Sequence, residues 1–116
     1  MLAMSQLQVT WLGHSSFVLQ TPGGSRIAID PWLAGNPACP ESSRDIGAVD
    51  LVLVTHGHFD HTADVVPVAS ATGAQVVAPY ELSMIFQQRG LTNVAGMNIG
   101  GTMATRGLSI TMVPAV

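Results

Sequence analysis

At 116 residues, 47% of them hydrophobic and 9% charged, the chain has apolar material for one globular core and too little for two. Four arginines, no lysines and seven acidic residues give a formal net charge of −3, which leaves no basic face to capture a phosphate backbone, so nucleic acid is not an expected partner. No apolar run approaches the roughly eighteen residues of a membrane span, and residues 1–8 carry neither the basic start nor the apolar stretch of a secretory leader; the expected setting is soluble and cytoplasmic, away from membranes.

The chain opens with two short β-prone runs, 8–12 and 16–20, separated by a Gly13-His14 turn. Thr21-Pro22-Gly23-Gly24 is a strong turn before a third run at 26–29, so the opening reads as a β-meander. Residues 30–50 are rich in Pro, Gly, Ser and Asn without a sustained period, which predicts a long loop of the kind that tends to carry function. Within it, Cys39 between Pro37 and Pro40 reads as an incidental loop residue, and Arg44 as a solvated surface charge. Leu51-Val52-Leu53-Val54 is continuously apolar and β-branched at two positions, the pattern of a strand buried on both faces.

The spacing over 62–72 predicts a helix, with Asp60 or Thr62 as its cap, Pro67 near its first turn and Gly73 as its terminator. A second apolar strand at 75–78 and an amphipathic helix at 80–89, stopped by Gly90, complete an alternation of strand and helix, the pattern of a sheet covered by helices. Residues 93–113 return to short β segments around Gly100-Gly101 and Arg106-Gly107.

The stretch most informative about chemistry is Thr55-His56-Gly57-His58-Phe59-Asp60-His61, which follows the buried strand directly and places three imidazoles and a carboxylate within six residues. In extended backbone, residues i and i+2 point the same way, so His56 and His58 can converge on one ion while Gly57 lets the chain bend between them. Asp60 and His61 come on the next turn and face another direction. Two ions held roughly 3.5–4 Å apart can share and acidify a water, which is the chemistry such a cluster suits. A position after a strand agrees with the rule that α/β sheets bind ligands beyond the carboxyl ends of their strands. The competing reading is a polar surface loop rich in histidine by coincidence.

His56-Gly57-His58-Phe59-Asp60-His61 resembles the HxHxDH motif of the metallo-β-lactamase superfamily. Trp11-Leu12-Gly13-His14-Ser15-Ser16-Phe17, Ile29-Asp30-Pro31-Trp32 and Met97-Asn98-Ile99-Gly100-Gly101 resemble its branch of small metal-dependent hydrolases, which includes ascorbate-6-phosphate lactonase-like proteins. The resemblance implies an α/β fold that is the N-terminal half of a four-layer αββα sandwich, with residues 1–116 as a single partial domain. It implies that His56 and His58 bind a first divalent ion and that Asp60 and His61 bind a second, zinc being the default and manganese, iron or nickel compatible with the same donors. Asp60 is also implied in proton transfer.

By the same resemblance Asp30 orients a ligand imidazole from beside the site; the alternative is that it merely begins an Asp-Pro turn. His14 either lines the substrate mouth or is a satisfied turn residue. Trp32 and Phe59 are read as packing residues. The family's later ligands have no counterpart before Val116, so the sequence is expected to be part of a longer hydrolase, with an uncovered sheet face open to self-association. The implied function is hydrolysis of a small ester, lactone or phosphorylated metabolite by a water activated between two metals. A non-catalytic metal-binding or interaction fragment of the same fold is the alternative.

Overall fold

The computed structural model describes residues 6–115. Residues 1–5 and Val116 lie outside them, so the readings made on the start of the chain and on its end at Val116 fall largely outside the described residues.

Strands β1 (Gln8–Trp11), β2 (Phe17–Gln20) and β3 (Arg26–Ile29) form the expected antiparallel meander. Strands β4 (Leu51–Leu53), β5 (Gln75–Pro79) and β6 (Val94–Met97) then add in parallel, giving one six-stranded sheet in sequence order. Each parallel step needs a crossover. The first is the loop 30–50, which contains a single 3-10 turn, Glu41–Ser43. It is pinned at its far end by the Arg26 guanidinium, which donates to the carbonyls of Ile46 at 2.7 Å and Ala48 at 2.6 Å. The second is α1 (Phe59–Thr62) followed by α2 (Val65–Thr72), and the third is α3 (Tyr80–Gln88).

Alternation along the strands sorts the core into two layers. Ala28, Val52 and Val76 lie opposite one another across β3, β4 and β5 and pack with Val65, Ala69 and Phe86 beneath the helices. Ile27, Leu51, Val77 and Met97 face the other way and are met by Met103, Leu108, Ile110 and Met112. Most of those four come from a separate hairpin, β7 (Thr102–Thr105) with β8 (Leu108–Thr111). Its turn residues Arg106 and Gly107 have φ of 52° and 75°, the double positive φ that suits a tight hairpin to the strand twist. Helices, sheet and the hairpin of a second β layer are thus stacked in order.

Three expectations are corrected. The helix anticipated over 62–72 is broken: the peptide of Asp64 donates to Pro31 O at 3.0 Å and its carboxylate accepts from Leu33 N at 2.6 Å. Those bonds to the loop pull Asp64 out of helical geometry, to φ −114° and ψ 14°. Neither Asp60 nor Thr62 caps α2; Asp64 precedes it, and Pro67 fits in the first turn, where no amide hydrogen is required. Cys39 is a buried core residue packed with Leu12, Val18 and Leu33 rather than incidental. The sheet face expected to be bare is covered by the hairpin over its centre and stays open only toward β1, where Val9 and Trp11 are exposed.

Candidate metal centre

The candidate residues gather where the parallel strands β3 and β4 end. Asp30 follows β3 and Thr55 follows β4 after Val54, and the ladder continues one step past the strands through Asp30 N to Leu53 O at 3.0 Å. That brings Asp30 beside the loop that carries the histidines.

Asp30 is buried and adopts a left-handed conformation with φ 47°, which an aspartate tolerates better than most residues. Its carboxylate is fully engaged. Oδ1 accepts from Thr55 N at 2.8 Å, while Oδ2 accepts from Thr55 Oγ1 at 2.6 Å and from His61 Nδ1 at 2.7 Å. An Asp-Pro turn alone would not require these contacts. With Nδ1 as donor, His61 presents the lone pair of Nε2, which lies 3.6 Å from Asp60 Oδ2. Asp60 and His61 both sit in the single turn α1, directly after His58 in extended backbone (φ −65°, ψ 149°).

His56 and His58 converge as the i, i+2 spacing predicts: His56 Nε2 and His58 Nδ1 are 3.1 Å apart. Two nitrogens each about 2.0–2.1 Å from a tetrahedral zinc lie roughly 3.3 Å apart, so the pair is spaced for one ion. The His56 and His61 rings lie with centroids 3.9 Å apart, tilted by 47° to one another, which sets the two pairs side by side. Imidazole nitrogens with a carboxylate suit zinc and also manganese, iron and nickel. The donor chemistry therefore suits a divalent ion. Among the described residues no group of three His, Cys, Asp or Glu side chains is placed to hold one ion, so each pair offers two protein ligands where catalytic zinc usually takes three.

His14 is not drawn into this cluster. It is exposed, with φ 53°, and its ring lies 5.0 Å from that of Trp32, which in turn meets Phe59 edge-on at 5.9 Å. The three rings form a row from the β1–β2 turn to the start of α1. Phe59 is 70% exposed, so the expectation that it packs as a wall residue is corrected: it touches Trp32 with one edge and turns the rest to solvent. Arg44 donates Nε to Cys39 O at 3.2 Å rather than standing free.

Three residues that sequence reasoning passed over hold the site together. Ser16, wholly buried, donates Oγ to Asp30 O at 2.7 Å and accepts from Trp32 N at 3.0 Å, clamping the turn that carries Asp30. Asn36, also wholly buried, donates to Gly13 O at 3.1 Å and Trp32 O at 2.9 Å, tying the His14 turn to the Asp30 turn. Thr55 stands between Asp30 and His56, its Oγ1 2.9 Å from His56 Nδ1.

Comparison with known proteins gives the family. A metal-dependent hydrolase of the UPF0173 group from Koribacter versatilis is 48% identical over 110 residues, 95% of this chain and 47% of that protein. One from Methanopyrus kandleri is 47% identical over 109 residues, 94% of this chain and 46% of that protein. Among solved structures, the metallo hydrolase Igni18 of Ignicoccus hospitalis superposes with a TM-score of 0.79 at 33% identity, covering 94% of this chain and 48% of that one. A B3 metallo-β-lactamase at 24% identity and a TM-score of 0.61 shares the fold. The chain thus spans about half the length of the relatives it matches, and its mixed α/β architecture is the expected half of the αββα sandwich. With a family model for the beta-lactamase superfamily domain matching residues 8–115, the chain belongs to the beta-lactamase superfamily.

Proposed function

We propose that residues 1–116 are one partial domain of a metal-dependent hydrolase, contributing two ligands to each of two neighbouring divalent ions, zinc by default. His56 and His58 hold the first, and Asp60 and His61 the second. The observation that carries this reading is the convergence of His56 Nε2 and His58 Nδ1 at 3.1 Å beside the His61–Asp60 pair, with Asp30 backing it from the interior. The names of the related hydrolases support the same class of activity.

Divalent ions held by these residues would supply Lewis acidity and activate a water. The protein's share is orientation. Asp30 fixes His61 with Nε2 free, and the Thr55 hydroxyl stands at His56 Nδ1. Asp60, part-exposed on α1, is the group assigned proton transfer at its carboxylate oxygen in this reading. His14, with Trp32 and Phe59, lines the approach from the side of the β1–β2 turn. The substrate proposed is a small ester, lactone or phosphorylated metabolite.

The test is metal content and turnover of the protein expressed from its uninterrupted reading frame. Close to two equivalents of metal, with lactone or ester hydrolysis that a chelator stops and His58→Ala abolishes, is the expected outcome. A second reading, a non-catalytic metal-binding or interaction domain, draws on the two-ligand count of each pair. It is favoured if metal binds and is lost in His58→Ala while no ester, lactone or phosphodiester is turned over. Absence of bound metal defeats the hydrolase and the metal-binding readings alike and leaves the interaction domain.

A further inference from the structure

We infer that Thr55 is a positioning residue that joins the two ligand pairs into one hydrogen-bonded unit and fixes the tautomer of His56; the inference rests on the metal-site reading above. The argument is a count of hydrogens. Thr55 Oγ1 lies 2.6 Å from Asp30 Oδ2 and 2.9 Å from His56 Nδ1, and a hydroxyl has a single proton to donate. An ionised carboxylate only accepts, so that proton goes to Asp30, and toward His56 the Thr55 oxygen accepts. His56 therefore carries its hydrogen on Nδ1, and the lone pair of Nε2 is turned toward His58 Nδ1, 3.1 Å away.

The same Asp30 Oδ2 accepts from His61 Nδ1 at 2.7 Å. One buried carboxylate thus sets an imidazole in each pair, His61 directly and His56 through Thr55. Asp30 reaches His61 from 31 residues away in sequence and Thr55 from 25, so this coupling is a product of the β3–β4 pairing. Serine at position 55 preserves the relay. Valine, which matches threonine in shape, deletes both its donor and its acceptor but keeps the peptide N–H that holds Asp30 Oδ1.

Two readouts test this. The first is the long-range ¹⁵N–¹H correlation spectrum of the metal-free protein at about pH 8.5, well above the ordinary imidazole pKa of roughly 6.5. Wild type and Thr55→Ser are expected to show His56 protonated on Nδ1. In Thr55→Val, His56 should populate both tautomers while His61 stays protonated on Nδ1. His56 carrying its hydrogen on Nε2 in the wild type, or an unchanged His56 in Thr55→Val, overturns the inference.

The second readout is zinc affinity by competition with a chromophoric chelator. Thr55→Val should weaken it by about 10–100-fold, the usual effect of removing an outer-shell partner, and Thr55→Ser should restore it. Equal affinity in wild type and Thr55→Val overturns the inference even where the proposed hydrolase holds. Conversely, a wild type that binds no zinc defeats the hydrolase reading, while the tautomer spectra still decide the role of Thr55.

Discussion

Ser16 has no exposed surface and uses both faces of its hydroxyl on the turn that presents Asp30. Ser16→Ala leaves Trp32 N–H without its side-chain acceptor in a part-buried place, and an unsatisfied polar group of this kind costs about 1–3 kcal/mol. Urea denaturation should show a loss in that range, and zinc affinity should fall with it because the left-handed Asp30 turn loses its clamp. A variant as stable as wild type would mean that water replaces the hydroxyl freely. At this scale the sequence was legible where the chemistry is contiguous: His56, His58, Asp60 and His61 stand within six residues, and backbone periodicity alone predicts that the first two converge. Ser16, Asn36 and Thr55 were not legible. Each has at least one partner that only folding brings near, and a serine, asparagine or threonine looks the same in sequence whether it clamps a turn or faces water. Phe59 was misread, because its aromatic character did not reveal that α1 turns it outward.

At the level of elements, the close approach of α3 to β6 depends on one residue. A Cβ on Gly96 would stand 2.7 Å from Ser83 Oγ and 3.1 Å from Tyr80 Cα, and the second of these is backbone that cannot rotate away. Gly96→Ala should therefore push the start of α3 off the sheet and cost about 1–3 kcal/mol, as overpacking does, although alanine is otherwise the better strand residue. Thermal unfolding that matches or exceeds wild type would show that α3 rides loosely on β6. The strands were readable because turn dipeptides bracket them: Gly13-His14, Pro22-Gly23 and Arg106-Gly107 all mark reversals that the structure contains. The break between α1 and α2 was hidden. Apolar spacing runs straight through Asp64, and only the bonds from Asp64 to Pro31 and Leu33, 31 and more residues away, decide that the helix restarts there.

Over the whole molecule, the two faces of the sheet are unequally served. The helices cover one face, whereas on the other the β7–β8 hairpin reaches the Ile27, Leu51, Val77 and Met97 layer and leaves β1 outside it. Val9 pairs with Leu19 and Leu19 with Ile27, so Val9 belongs to that same apolar face, as does Trp11 through Phe17 and Ile29. Val9 is 58% exposed and Trp11 63%, with Leu7 beside them at 55%, and among the described residues β1 is also an edge strand with an unpaired side. This chain spans about half the length of the related hydrolases it matches, and the partner expected for the face in the 116-residue chain is a second copy. The 116-residue chain is expected to self-associate through β1, an exposed apolar edge being a template for pairing. Light scattering should show a dimer or larger species at micromolar concentration, and the double variant Val9→Thr, Trp11→Ser should shift it to monomer. Both substitutions fall at exposed positions on an edge strand and leave the core layers untouched, so a monomeric and folded variant ties association to this face. A monodisperse wild-type monomer would show instead that the hairpin shields enough of the sheet for the chain to stand alone.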